Sequence, residues 1–364
     1  MDWTVPVPLS ADDDTGTTWQ VRRAWRDKTP GCYVLEVLAP GWRGVRGARL
    51  RHGRFELLPL EDPGLPALRA EAQQGEIFSY RPYLRAVVRT EGCYVKIFRP
   101  GSAVVPAERC AQMDILLDAG TFTTPKIVSR KSEDVLVFSA VPGPTLSELG
   151  TKGAAVSDET FANAWEKWSR AWAAQLTSPL GPAAQSVFDS LPPYPADLEA
   201  AEVEGLLKRW WRHYENVPEL SFQHAALRAA AERVTANLVR TPPDPLVWAH
   251  GGLHAKQIIV TDGETPLGLL DFDGTARAEA ARDLADLDVH LELRLRENRM
   301  VPARYLAAHT QVLAVAGKLH VSPARFHAYS DARWLRLAFS PLPGRLSLAV
   351  AVLAERAKQY RSTP

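Results

Sequence analysis

The chain has 364 residues, enough for two domains or one large two-lobed unit. Hydrophobic residues make up 46% and charged residues 23%, close to the average of soluble globular proteins, which excludes wholesale disorder. Forty-three basic against 42 acidic residues leave a formal charge of +1, which argues against a protein whose main task is gripping a nucleic-acid backbone.

The start, Met1-Asp2-Trp3 followed by Asp12-Asp13-Asp14, carries neither a basic leader nor an apolar run, and no stretch approaches the length of a membrane span. Up to about Arg99 the chain reads as short strands broken by turns. Cys32 to Leu38 and Arg54 to Leu58 are separated by the clusters Pro40 to Gly47 and Asp62-Pro63-Gly64. Glu76 to Tyr80, Leu84 to Arg89 and Cys93 to Phe98 follow, linked by tight turns, and predict an antiparallel meander. The three cysteines, Cys32, Cys93 and Cys110, are scattered and lack the spacing of a zinc site or disulfide framework, so a reducing cytoplasm fits best.

The period then changes. Pro106 to Asp118 carries Cys110, Met113, Leu116 and Leu117 on a helical stripe closed by Gly120. Lys126 to Ser129 and Val135 to Ala140 are two more strands, and Pro142-Gly143-Pro144 marks a lobe boundary. Helices are expected at Asp158 to Leu176, with Asp158 as cap, at Pro195 to Tyr214 and at Phe222 to Leu238. A β-rich interruption at Leu246 to Asp273 holds Ile258-Ile259-Val260 and Leu267 to Leu270, and helices resume at about Arg282 with a break at Pro341 to Gly344. The predicted division is a β-rich cap over residues 1–75, a small lobe over 76–141 and a helical lobe over 142–364.

The most specific signal is His250-Gly251-Gly252-Leu253-His254-Ala255-Lys256-Gln257, followed after a hairpin by Asp271-Phe272-Asp273. It resembles the catalytic and metal-binding segments of the aminoglycoside phosphotransferase and choline kinase superfamily, relatives of the protein kinases. That resemblance implies an α+β, two-lobed protein-kinase-like fold and an ATP-dependent transfer of phosphate to the hydroxyl of a small polar metabolite. Nucleoside triphosphate and Mg²⁺ are then the expected cofactors, with oxygen ligands converging from two adjacent loops to neutralise the phosphates. Gln257 matches the family's metal-binding Asn, Asp271 its principal metal-binding Asp, and Asp273 is a candidate second ligand. Asp283 matches an aspartate that braces the catalytic loop.

Gly252 departs from the family, occupying the position of the catalytic Asp that orients or deprotonates the attacking hydroxyl. Such assistance is worth about 10²–10⁴-fold. His254 is the nearest candidate substitute, although a His in this motif, like His250, more often holds the loop by hydrogen bonds. The missing base leaves a pseudokinase that binds nucleotide or a partner without transfer, and a nucleotidyl transferase moving AMP, as alternatives.

Lys96, on a strand whose neighbours Val95 and Ile97 face the other way, is placed to reach the α- and β-phosphates as the family's third-strand lysine does. Glu108 is the expected partner of Lys96, with Asp114 on the same segment. The resemblance assigns the adenine contacts to backbone groups of Ser139, Ala140 and Val141. No glycine-rich loop precedes Lys96, so phosphate contacts there fall to Arg81 or Arg85. In that family the acceptor groups come from the C-terminal helices, where Glu279, Asp286, Asp288, Glu292 and Glu297 are charges able to attract a cationic substrate; acidic helix faces are usually just solvated, and no site is assigned there.

Overall fold

Three arginines and two tryptophans share the strand that anchors the N-terminal region of the computed structural model, which describes residues 7–118, 120–215, 217, 220–263 and 265–362. Met1-Asp2-Trp3 lies outside them. The first sheet is antiparallel in chain order: β1 (Ser10–Asp12), β2 (Thr18–Arg26), β3 (Cys32–Leu38), β4 (Arg46–Arg51) and β5 (Arg54–Leu57). Its core is Trp19, Tyr33, Leu35, Val37, Ala48 and Leu50. β1, β2 and β4 are additions to the sequence reading, which takes Pro40 to Gly47 as a turn and names no strand before Cys32.

A short helix α1 (Leu68–Ala72) leads into β6 (Glu76–Arg81), β7 (Arg85–Thr90) and β8 (Cys93–Phe98), the expected meander. Then come α2 (Val104–Leu116), β9 (Phe122–Thr123), β10 (Ile127–Ser132) and β11 (Val135–Ser139), giving a second sheet in the order β10-β11-β8-β7-β6. The two-residue period of β8 decides where its side chains go. Val95 and Ile97 join a core with Ile77, Val88, Leu65 and Leu68, while Phe98 packs on the other face with Leu136, Phe138 and, from α2, Ala107 and Cys110. Lys96 therefore projects on the α2 side.

The rest is mainly helical. It comprises α3 (Leu146–Leu149), α4 (Asp158–Thr177), α5 (Pro182–Ser190), α6 (Ala196–Tyr214), α7 (Ser221–Arg240), β12 (Leu246–Ala249), β13 (Ile258–Ile259), β14 (Leu267–Leu269), β15 (Ala276–Glu279), α8 (Ala280–Arg296), α9 (Pro302–Lys318), α10 (Pro323–Ala338) and α11 (Arg345–Ser362). The cap of α4 is Ser157, whose side chain accepts the Thr160 N–H, and Asp158 sits in the first turn. Phe161, Trp165, Trp168 and Trp172 recur at helical spacing along α4 and are fully buried against Leu253, Leu269 and Phe272. That wall fixes the floor on which the motif loops lie. Among the described residues no helix is long and apolar enough to cross a membrane.

One polar pair ties the helical lobe together. Glu279 and Arg325 are both buried, joined by Nε to Oε2 at 2.6 Å and Nη2 to Oε1 at 2.5 Å, and Tyr329 Oη and the Asp244 N–H also donate to the carboxylate. Removing one partner of such a pair leaves an uncompensated buried charge. Arg325→Ala is expected to lower the unfolding free energy by about 3–5 kcal/mol, read as a drop in the urea midpoint. A loss below about 1 kcal/mol would contradict this account.

Candidate active site

The loop after β12 is suspended from α8. His250 and Gly251 donate their N–H groups to the buried Asp283 carboxylate at 2.5 and 2.9 Å, so Asp283 braces the loop. His250 Nε2 donates to the Leu270 carbonyl at 2.8 Å, tying this loop to the one that carries Asp271. Gly251 has φ +84°, and a Cβ there would lie 1.7 Å from the Gly274 carbonyl oxygen. Only glycine lets the two loops touch backbone to backbone.

Asp271 is itself left-handed, with φ 71° and ψ 69°, a conformation that Asp tolerates better than most residues. Burial raises its pKa, but the Lys96 ammonium, then Arg85 and His250, and the Gln257 amide outweigh that and hold the carboxyl below its ordinary range. The Lys96 ammonium is close enough for its charge to act on the Asp271 carboxylate. The Lys96 ammonium also lies 5.1 Å from the centre of the Phe138 ring. Arg85 reaches Asp273, Nη1 to Oδ2 at 2.8 Å, whereas Arg81 stacks on Trp25 at 5.2 Å. Of the two arginines it is Arg85 that meets the Asp271 loop.

Gln257 is oriented differently from a metal-binding amide. Its Oε1 accepts the His254 N–H at 2.9 Å, and Nε2 is the group turned to Asp271, at 3.4 Å. Its oxygen is committed within the turn. Among the described residues no group of three or more His, Cys, Asp or Glu side chains is placed to hold a metal ion. Magnesium, however, is held by one or two carboxylates together with phosphate and water. The ionised Asp271, with Asp273 beside it, fits that requirement.

The expected contact between Glu108 and Lys96 is not formed. Glu108 is exposed on α2. The face of α2 that packs on β8 and β11 carries Ala107 and Cys110 instead, and among the described residues no ion pair joins Glu108 to Lys96. Asp114 pairs with Lys126 at 2.6 Å. At the hinge, the Ser139 N–H donates to Lys126 O and the Ala140 N–H to Gly92 O, both at 2.9 Å. Those two donors are already used.

Around Gly252 there is room: an added Cβ meets no heavy atom within 4 Å. His254 is pushed down to about 4 by burial, then by Arg333 and Lys256. Its ring lies edge-on to His290 at 5.3 Å. It is held neutral at pH 7 as a weak base, which makes it a poor substitute for the missing carboxylate. Lys256, although its residue remains solvent-accessible, is pushed down to about 8 by partial desolvation of its ammonium and then by Arg23, Arg299, Arg294 and Arg22. Sequence reasoning passed over Lys256 because no family pattern marks its position. It also passed over Arg282, whose guanidinium lies 3.8 Å over the Tyr194 ring and donates to Gly251 O.

Residues 82–313 match the model of the phosphotransferase enzyme family, APH, which is more than half of the chain. The chain belongs to this family. Its β-rich N-terminal region and helical C-terminal region form a two-lobed α+β, protein-kinase-like fold. No curated protein sequence matches the chain. Among solved structures it is similar to an aminoglycoside phosphotransferase of Streptomyces rimosus, at 17% identity over 74% of this chain and 95% of that one, with a TM-score of 0.47. It is similar to a macrolide 2'-phosphotransferase of Brachybacterium faecium, at 17% identity over 77% and 89%, TM-score 0.42. A glucosamine kinase in complex with glucosamine, ADP and inorganic phosphate aligns at 18% identity over 97% of this chain and 95% of that one, TM-score 0.46.

Proposed function

We propose that the protein is an ATP-dependent phosphotransferase acting on the hydroxyl of a small polar metabolite. The observation that carries this reading is that, in a chain of the phosphotransferase family, Arg85 meets the Asp271 loop at Asp273, 2.8 Å away, and the Lys96 charge reaches Asp271. The triphosphate would lie beneath β8, with Lys96 on the α- and β-phosphates and Arg85 at the far end. The adenine edge would meet the hinge at the Ala140 carbonyl and the Val141 N–H, since the neighbouring donors are taken. Asp271 and Asp273 are the residues to hold magnesium, which when bound neutralises charge on the β- and γ-phosphates. Gln257 then serves by hydrogen bonds that set the two loops. In the reaction the acceptor oxygen bonds to the γ-phosphorus as the bond to the β–γ bridging oxygen breaks. ADP leaves, and the hydroxyl proton passes to water.

A second reading is favoured by Gly252: a nucleotide-binding module without transfer. Positioning and electrostatics dominate phosphoryl transfer, so the missing carboxylate slows the reaction without forbidding it. Calorimetry with ATP and Mg²⁺, followed by turnover over a metabolite panel, separates the two. Binding with measurable transfer is expected. Binding without transfer to any acceptor supports the module, and no binding removes both. Lys96→Ala is expected to weaken ATP about 10–100-fold, the value of one or two hydrogen bonds to charged groups.

A further inference from the structure

The acidic side chains offered for a cationic acceptor are all engaged. Glu279 is buried with Arg325. Asp286 lies 3.5 Å from Arg333, and Asp288 is 2.6 Å from His309 Nδ1. Glu292 holds Arg296 at 2.8 Å and Trp334 Nε1 at 3.1 Å. Glu297 bridges Arg345 at 2.8 Å and Arg299 at 3.5 Å.

Beside the catalytic loop stand two cations, Lys256 and Arg294, that form no ion pair among the described residues, with Arg299 next to them. Lys256 has its side chain exposed, in a turn that packs against α3 and α8. On the same two helices Arg294, 8% exposed, spends its guanidinium on neutral oxygens: Ser147 Oγ at 2.6 Å, Ser147 O at 2.9 Å and Thr151 Oγ1 at 3.0 Å. Its buried Nε has no partner. Arg299 follows at once, its N–H donating to Arg294 O at 2.8 Å.

The first sheet completes the enclosure. Arg23 Nη1 donates to Ser79 Oγ on β6 at 3.0 Å, fastening β2 to the second sheet. At its far end β2 crosses to the helical lobe. Arg26 donates to Tyr214 Oη at 3.3 Å and to the Phe339 carbonyl, His213 Nε2 lies 2.9 Å from Asp27 O, and Tyr33 Oη is 2.9 Å from Tyr214 Oη. The β2 strand therefore bridges the second sheet and the helical lobe, and its half-exposed Arg22 and Arg23 are close enough for their charge to act on Lys256. Glu36, fully buried, is the carboxylate nearest both, at 3.9 and 3.7 Å. The guanidinium groups that act on Lys256 are those of Arg22, Arg23, Arg294 and Arg299, whereas Lys96 and Arg85 act on Asp271. The guanidinium groups beside Lys256 are the ones we assign to the acceptor.

We propose that the acceptor is a hydroxyl compound bearing an anionic group, a phosphate monoester or a carboxylate, bound between the β2 arginines and Lys256 with its hydroxyl toward Gly252. This rests on the phosphotransferase reading and gives the N-terminal sheet a role as the wall of the acceptor site. It also sets the protein apart from enzymes that take polycationic acceptors, because Lys256, Arg22 and Arg23 would repel them.

The test compares glucose 6-phosphate and gluconate with glucose and glucosamine by calorimetry, on the full chain with ADP and Mg²⁺ present. It is repeated on Lys256→Glu and Arg23→Glu, with thermal melts to establish that each variant folds. One or both anionic probes are expected to bind at least about ten-fold tighter than glucose, the size of one charge-assisted contact. Either variant should lose that advantage while its affinity for ADP stays within about two-fold, since both residues lie outside the nucleotide cluster. A glucose 6-phosphate arm that succeeds where gluconate fails assigns the phosphate, and the reverse assigns the carboxylate. The proposal is overturned if glucose or glucosamine binds as tightly as both anions, if neither anion binds while ADP does, or if the advantage survives in both variants. The phosphotransferase reading then still stands. Failure of ADP to bind the wild type refutes that reading, and this one with it.

Discussion

Asp271→Asn is expected to reduce phosphate transfer by about 10³-fold, the effect of removing one preorganised charge from a site that works by electrostatics. Asn is the informative replacement. It tolerates the left-handed backbone that Asp271 adopts at φ 71°, so the variant loses the charge and keeps the loop. Asp271→Ala would add backbone strain and confuse the two effects. The carboxyl also leaves a thermodynamic signature. Its folded pKa lies below the ordinary 3.8, so the unfolded chain binds the proton more readily. The stabilisation is complete above about pH 4 and is lost as the pH falls through the folded value. Wild type should therefore lose stability on acidification faster than Asp271→Asn, in urea titrations from pH 5 downward. Equal slopes for the two proteins, or unchanged transfer by the variant, would show that Lys96 and Asp271 do not work as a pair.

Local pattern made the cleft's two ends legible. Lys96 could be placed because Val95 and Ile97 alternate with it, and the structure sends those two to one core and Phe98 to the other. The His250 and Asp271 segments were legible from residue type and order. Gly251, which must be glycine, and Asp283, whose carboxylate takes both loop amides, follow from the same motif. What local pattern does not contain is the identity of a distant partner. β2 was missed because Arg22, Arg23 and Arg26 break the apolar alternation of a strand, and their partners lie on β3, β6, α6 and just after α10. For the same reason the sequence does not show that each acid from Glu279 to Glu297 named above is met by an arginine or histidine. Glu108 failed differently. It was chosen for its nearness to the start of a helix, but the turn of that helix carries Ala107 and Cys110 inward instead. Gln257 shows a finer limit. Its residue type predicts an amide near Asp271, yet which end of the amide points there depends on the His254 N–H, a contact within a three-residue turn.

Gly252→Asp is expected to raise turnover by about 10²–10⁴-fold on whichever acceptor the wild type uses. The substitution is sterically free. A Cβ at this position meets nothing within 4 Å, and the backbone lies outside the left-handed region that would strain a side chain. The neighbouring Gly251 could not accept the same change, because its Cβ would collide with Gly274 O. Among the described residues, two titratable groups close to this loop are not ready to supply the base. His254 is held to about 4 by burial and Arg333, and Asp283 is occupied by two backbone donors. A new carboxylate would orient the acceptor hydroxyl and accept its proton, so the gain should appear in kcat, with KM for ATP nearly unchanged because Lys96 and Asp271 are untouched. A variant no faster than wild type at saturating substrate would mean that proton removal does not limit the reaction. Wild-type transfer would then be governed by how well the basic wall of the acceptor site holds the hydroxyl in line with the γ-phosphate.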